Sequence, residues 1–518
     1  MGLRLSGGKS RPLAGAAATI VIALGVSACA GASASPAPTT GASRAVARAL
    51  AERPQARSTV SPALGDLLTY DYGNTRSGED SVDPAIKNLS AGPTWDDRDL
   101  DGAVYGEPLV YDATVYVATE NDTVYALAAA SGQVLWHVHV GTAVSTSVID
   151  SAPTLNSGCG DINPLGITGT PVIDPATDEI FVAEETEMPG DGNWQGIRHW
   201  LVAISLTSRK ELWHRDVDPP FGNNPSYYYI PAEQQRPALT LADGRLYVDF
   251  GGLDGDCGQY HGYVVDLPES GSGALASYQV PTQREGAVWE TNGAVVSPGG
   301  DLYVATGNGS SNSIAHFDEG NSVVELSPSL KRIGYWAPGN WVQLNDQDWD
   351  LGSAGPISVP GTSLLFVAGK PSSNGDFGYL VREGGLGGIG HGAYTGLACP
   401  GGGAFGADAS DVVGSRIFVY VPCGSGTEAL QVTASPMSFR RAWAPSSGTP
   451  NGSPIVAGGL VWALDWNNAL LYGMNPVNGH VVVRRATDPL AHFVAPGVGD
   501  KMLFVPTSSG VEAFRTLG

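Results

Sequence analysis

Apolar triplets with an aromatic at the centre return along the body of the chain, each after a turn carrying Gly or Asp. They are Val115-Tyr116-Val117, Ile180-Phe181-Val182, Leu246-Tyr247-Val248, Leu302-Tyr303-Val304, Leu365-Phe366-Val367, Ile417-Phe418-Val419, Val461-Trp462-Ala463 and Leu503-Phe504-Val505. Short apolar runs between turn residues predict buried strands. The first copy shows its surroundings most fully. A strand at Pro108–Tyr111 precedes it, the turn Glu120-Asn121-Asp122 and a strand Val124–Leu127 follow, and Ser131-Gly132 leads to Val134-Leu135-Trp136. That makes four antiparallel strands per unit, and four-stranded units repeated radially are the blades of a propeller. The pattern therefore predicts an all-β, eight-bladed β-propeller in one domain, residues 65–518.

The ring has a predicted closure. After Phe504 only Gly510–Phe514 remains as a further strand, whereas Leu89–Trp95 stands unused ahead of the first complete blade. Pairing N- and C-terminal strands in the last blade leaves no open sheet edge between first and last blades.

The segment Ala126–Trp136, with Gly132 in its turn, resembles the repeat of pyrroloquinoline-quinone (PQQ) propellers, the quinoprotein alcohol dehydrogenase-like fold. Ala203–Trp213 is a weaker copy with Arg209 in the place of the Gly, and Asn475–Val483 keeps Gly479 but lacks the Trp. The resemblance implies where a quinone and a calcium ion would lie. Val288-Trp289 resembles the Trp that supports the quinone ring, and Thr306-Gly307-Asn308-Gly309 resembles the segment supplying a calcium ligand, Asn308. Asp348-Trp349-Asp350 resembles the stretch ending in the catalytic Asp, which makes Asp350 the implied base and a further metal ligand. Gly369-Lys370 resembles the segment whose basic side chain contacts the quinone. Two departures stand against this. Gly196-Ile197-Arg198-His199 follows Trp194-Gln195 where the resemblance expects a calcium-binding Glu, leaving Glu184, Glu185 or Glu187 as substitutes only if the loop is rearranged. Cys159-Gly160 replaces the adjacent cysteines that these dehydrogenases often carry.

The chain start changes the picture of location. Arg4, Lys9 and Arg11 precede an apolar run over residues 14–28 that is short for a transmembrane helix. Val26-Ser27-Ala28-Cys29 resembles a bacterial lipobox, which implies a signal peptide over 1–28, lipidation of Cys29 and anchoring at the outer face of the cytoplasmic membrane. Residues 29–64, rich in Ala, Ser, Thr and Pro, read as a disordered tether. Four further cysteines, Cys159, Cys257, Cys399 and Cys423, predict two disulfides in an exported protein. Of three pairings, Cys399–Cys423 within one blade and Cys159–Cys257 between neighbouring blades is favoured. No CxxCH occurs, so covalent c-type haem is excluded.

Charge removes one class of partner. With 28 Lys+Arg against 51 Asp+Glu the net charge is −23, so phosphate backbones are repelled and nucleic acid is not a partner. Asp97–Gly102 and Asp346–Asp350 have calcium-loop spacing but read as acidic turns; in the first the EF-hand's closing Glu falls on Pro108, and the second lacks the Gly. No HExxH, GxSxG or phosphate-loop lysine appears. Two functions remain. The first is a lipid-anchored module or scaffold that binds a small ligand or an extracytoplasmic protein without catalysis, as the outer-membrane protein assembly lipoprotein does. The second is a PQQ- and calcium-dependent dehydrogenase of alcohols or sugars, resembling polyvinyl-alcohol dehydrogenases.

Overall fold

In the computed structural model, which describes residues 65–155, 158–188, 190, 192–219, 230–370 and 377–518, each aromatic-centred triplet forms the second strand of a blade. Cys29, the signal peptide and the tether lie outside the described residues. The blades follow chain order: 1 from Leu109 to His139, 2 from Val172 to Asp216, 3 from Glu233 to Gln279, 4 from Val295 to Ala337, 5 from Ile357 to Leu397, 6 from Ala409 to Trp443 and 7 from Ile455 to Ala486. Blade 8 takes Gly497–Gly499, Met502–Thr507 and Gly510–Leu517 from the C-terminus. Its outer strand comes from the N-terminal side, where Asn88–Leu89 and Trp95–Asp97 both pair antiparallel with Gly510–Leu517.

The triplets are continuously apolar because each blade is covered on both faces. Along the second strand of blade 2, Ile180 and Val182 join the core shared with blade 1, while Phe181 and Ala183 join the core shared with blade 3. Alternate side chains point to opposite faces, so both sets must be apolar. Outer strands face solvent on one side and read differently: in Val134–His139 exposed and half-buried residues alternate.

The repeat's Trp and Gly meet across blades. A Cβ at Gly132 of blade 1 would lie 2.6 Å from the ring of Trp95, on the outer strand of blade 8, whose Nε1 donates to the Ala129 carbonyl at 2.9 Å. Gly479 of blade 7 receives Trp443 of blade 6 in the same way, with Trp443 Nε1 donating to the Pro476 carbonyl at 2.8 Å. Glycine is needed there for space as well as for its positive φ.

One segment was not legible in the repeat. Residues 67–88 run past the ring in blade order, bonding backbone to backbone. Leu67 pairs with Val110 (blade 1), Ile173 (blade 2) donates to Leu68, Val296 (blade 4) to Asn74, Ser358 (blade 5) to Thr75, Ser410 (blade 6) to Ser77 and Val456 (blade 7) to Gly78. Blade 3 is reached by a side chain, Asn74 Nδ2 donating to the Leu241 carbonyl at 2.8 Å. Arg76, fully buried, donates to the Thr69 hydroxyl and to the carbonyls of Tyr70, Leu239 and Ala294 at 3.0–3.3 Å, and to the Thr240 hydroxyl at 2.7 Å.

Both disulfides pair as expected, Cys159–Cys257 and Cys399–Cys423. Neither closes a single blade on itself. Cys399 follows the outer strand of blade 5 and reaches the second strand of blade 6, and Cys159, between blades 1 and 2, reaches a loop of blade 3.

Candidate functional site

Strands alternate in direction, so loops joining second to third strands emerge on the same side of the ring as the connections between blades. A cavity of about 470 Å³ opens among them. Trp289 enters from the connection between blades 3 and 4, Asp348 and Asp350 from that between blades 4 and 5, and Lys370 from the end of the second strand of blade 5; all four line the cavity. Asn308, 7 % exposed, sits behind them. The four residues singled out by the resemblance are thus brought together.

Their bonding is specific. Lys370 Nζ lies 2.7 Å from Asp350 Oδ2 and 2.8 Å from Asp348 Oδ1. The Asn308 backbone N–H donates to Asp350 Oδ1 at 2.5 Å, and its side-chain amide donates to Asp348 Oδ1 at 2.7 Å. Asn308 Oδ1 accepts from Asn321 Nδ2 at 3.0 Å. Burial pushes the Asp350 carboxyl up while Lys370 pulls it down, and the net direction is up. Burial lowers the Lys370 ammonium, but the two carboxylates outweigh it and hold it above its ordinary range. Gly307 makes the arrangement possible: a Cβ there would lie 2.8 Å from Asp350 Oδ1 and 3.1 Å from Trp289 Nε1.

The indole of Trp289 packs against the core of blades 2 and 3 and also meets two cations. Lys370 Nζ stands 5.5 Å from its ring centroid and the Arg236 guanidinium 5.8 Å. Arg236 also lies 4.6 Å from the ring of Phe493, which stacks on Phe405 at 5.7 Å. Among the described residues Arg236 has these ring contacts and no hydrogen bond or ion pair, so its donors are available to the cavity. Burial lowers its pKa, and burial followed by the charge of Arg236 takes the neighbouring His492 imidazole down to about 4. At neutral pH the cations of the cavity are therefore Arg236 and Lys370.

The stretch in which the resemblance expects a calcium-binding Glu lies away from the cavity. Gln195 and the Gly196–His199 stretch belong to blade 2, and neither they nor Glu184, Glu185 or Glu187 line the cavity. Carboxylates enter instead from blade 3, as Asp254 and Asp256, and from the connection between blades 1 and 2, as Asp161. A signal was present: Gly252, Asn308, Lys370 and Trp466 each fall five or six residues after the start of an aromatic-centred triplet. Cys257 lies in the same loop as Asp254 and Asp256, and Gly160 N–H donates to the Asp254 carbonyl at 3.0 Å. The Cys159–Cys257 bridge thus braces the acidic rim. The Asp97–Gly102 run is a bonded turn, with Asp101 accepting from Thr119 at 2.8 Å, Thr123 at 2.6 Å and Asn121 at 3.1 Å.

Residues 85–226 match the family model described as outer membrane protein assembly factor BamB. The fold is similar to that of PQQ-like β-propellers. Solved structures similar to this eight-bladed propeller include the quinohemoprotein alcohol dehydrogenase from Comamonas testosteroni, at 15 % identity and TM-score 0.60 over 92 % of this chain and 84 % of that one. The quinohemoprotein alcohol dehydrogenase ADHIIG from Pseudomonas putida HK5 matches at 14 % and 0.60, over 87 % and 80 %. BamB from Moraxella catarrhalis matches at 12 % and 0.52, over 84 % and 100 %. No curated protein sequence matches the chain. These likenesses show a fold shared by dehydrogenases and an assembly factor, and fold does not decide between them.

The residues suit one of the two implied groups. A flat quinone bearing carboxylates is matched by an indole face flanked by two cations. Calcium is not matched, because it takes six to eight oxygens. Here Lys370 occupies Asp348 and Asp350, Asn308 Oδ1 is engaged by Asn321, and no three described His, Cys, Asp or Glu residues are placed to hold a metal.

Proposed function

We propose that this propeller is an exported binding module whose axial cavity takes a small, flat, anionic ligand, with Trp289 as the stacking face and Arg236 and Lys370 as counter-charges. The observation that carries this reading is Arg236, held between Phe493 and Trp289 with no acceptor among the described residues. A half-buried guanidinium whose donors go unused at a cavity wall is matched by a carboxylate-bearing ligand that supplies their acceptors. The quinone is the first ligand to try. Bound there, it would supply the two-electron redox chemistry that the protein's own side chains lack. Trp289 would support its ring, Arg236 would meet a carboxylate, and Lys370 would hold its ammonium toward the ligand while keeping Asp350 ionised.

A second reading, a quinone-dependent alcohol or sugar dehydrogenase, is supported by the convergence of Trp289, Asn308, Asp350 and Lys370. For Asp350 to accept a proton it must be released from Lys370, so turnover in this reading requires the lysine to swing to the ligand. Lipid anchoring through Cys29 belongs to the same proposal and rests on the lipobox, while the two disulfides support an oxidising compartment.

The test is calorimetric titration of the full protein with pyrroloquinoline quinone and with a panel of flat aromatic carboxylates. We expect one-to-one binding that falls at least about tenfold in Trp289→Ala and in Arg236→Ala. No binding by any of these ligands, or binding indifferent to both substitutions, overturns the reading. Dye reduction with an alcohol panel, with and without calcium, decides the second. Turnover abolished by Asp350→Asn with binding intact would establish it.

A further inference from the structure

Away from the axis, a groove of about 400 Å³ lies in the seam between blades 1 and 2. Its wall contains Glu184, 4 % exposed, whose Oε2 is buried with no hydrogen-bond partner; among the described residues the carboxylate makes no ion pair. Burying a carboxylate without a partner is costly, and among the described residues neither Lys nor Arg lines the groove, whose basic side chains are His139 and His214, the latter paired with Glu211. Directly opposite Glu184 in the strand register stands Trp200, so both side chains project from one face of blade 2. His214 packs edge-on against the Trp200 indole at 4.9 Å.

The site is held in shape by backbone. Ala143 bridges Thr186 between the blades, Thr142 N–H donates to the Thr186 hydroxyl at 2.7 Å, and Glu187 N–H donates to the Thr142 carbonyl at 2.8 Å. Gly141 is required here, because a Cβ at that position would collide with Glu184 Oε2 and the Thr186 hydroxyl. The glycine makes room for the carboxylate, which lines the groove together with the Trp200 indole and Met188.

We propose that this groove binds a small alkylammonium ion, with Glu184 as its counter-charge and Trp200 as the face against its methylenes and charge. A carboxylate alone would serve any cation. An indole and a thioether beside it favour an organic one, and the described residues offer no set of three metal ligands. The site is separate from the axial cavity and does not depend on what binds there.

The probe is n-butylammonium chloride, titrated calorimetrically into the full protein. Burial, then Glu211, holds the Glu184 carboxyl up to about 8, so the titration is run at roughly pH 9. One-to-one binding is expected, reduced at least about tenfold in Glu184→Gln and several-fold in Trp200→Leu, and unchanged in the axial variant Trp289→Ala. Circular dichroism melting of Glu184→Gln, an isosteric change, checks that the blade is intact. Absence of binding, binding retained in Glu184→Gln, loss in Trp289→Ala, or binding of calcium in place of the amine would each overturn the proposal.

Discussion

Single glycines decide much of this molecule's geometry, and two positions make the point from opposite directions. At Gly307 the absent side chain is what lets Asp350 and Trp289 share one place. Gly307→Ala is expected to leave the melting temperature within a few degrees while weakening ligand binding at the axial cavity by at least about tenfold, measured by titration. At position 209 the repeat calls for Gly and the chain has Arg, held at φ +58°. A non-glycine residue in that region costs about 1 kcal/mol. Arg209→Gly is therefore expected to stabilise the protein by about that amount despite the added backbone entropy of glycine, read from the shift in a urea midpoint. No change or a loss would show that Arg209 makes up the strain through its aliphatic stem.

At the scale of elements, blades are interchangeable and connections are not. The second strands are alike because each is covered on both faces, whereas the cavity is assembled from loops that differ in every blade. The Cys159–Cys257 bridge joins two of these, pinning the loop that carries Asp254 and Asp256 to the segment that carries Asp161. Replacing both cysteines by serine is expected to lower ligand affinity several-fold and to increase hydrogen exchange in residues 253–260. Neither cysteine of the second bridge lines the cavity, although Cys423 bridges Ala404 beside the lining residue Phe405, so the Cys399/Cys423 double serine variant should alter stability more than affinity.

Across the whole molecule, buried carboxylates recur toward the axis. Glu107 and Glu120 are each pushed up to about 8 and Asp249 to about 7, burial being the largest cause in every case. Raised folded-state values mean that the native protein binds these protons more tightly than the unfolded chain does. Their contribution to stability is fully present below the unfolded carboxyl range and is lost as pH rises through 7 and 8. The protein should accordingly melt several degrees higher near pH 5 than near pH 9. Glu107→Gln should flatten that slope, and a flat or inverted profile in the parent protein would refute the assignment.

Fold class, blade number and closure were legible because they follow from local rules. An aromatic-centred triplet after a turn is a buried strand wherever it occurs, eight of them fix the ring, and the unpaired Leu89–Trp95 had one edge left to join. Trp289, Asn308, Asp350 and Lys370 were legible as an ordered set of motifs, though their bonds were not. What only the tertiary structure decided involves groups far apart in sequence: Lys370 placed on both Asp348 and Asp350, Arg236 left between Phe493 and Trp289 with no acceptor among the described residues, and the acidic rim supplied from blade 3. The segment 67–88 belongs here too, since nothing in its composition marks a chain that bonds to successive blades. Periodicity reports the face a residue turns toward its neighbours. It carries no information about which loops of a closed ring converge, because closure sets that by bringing together residues with no local reason to meet.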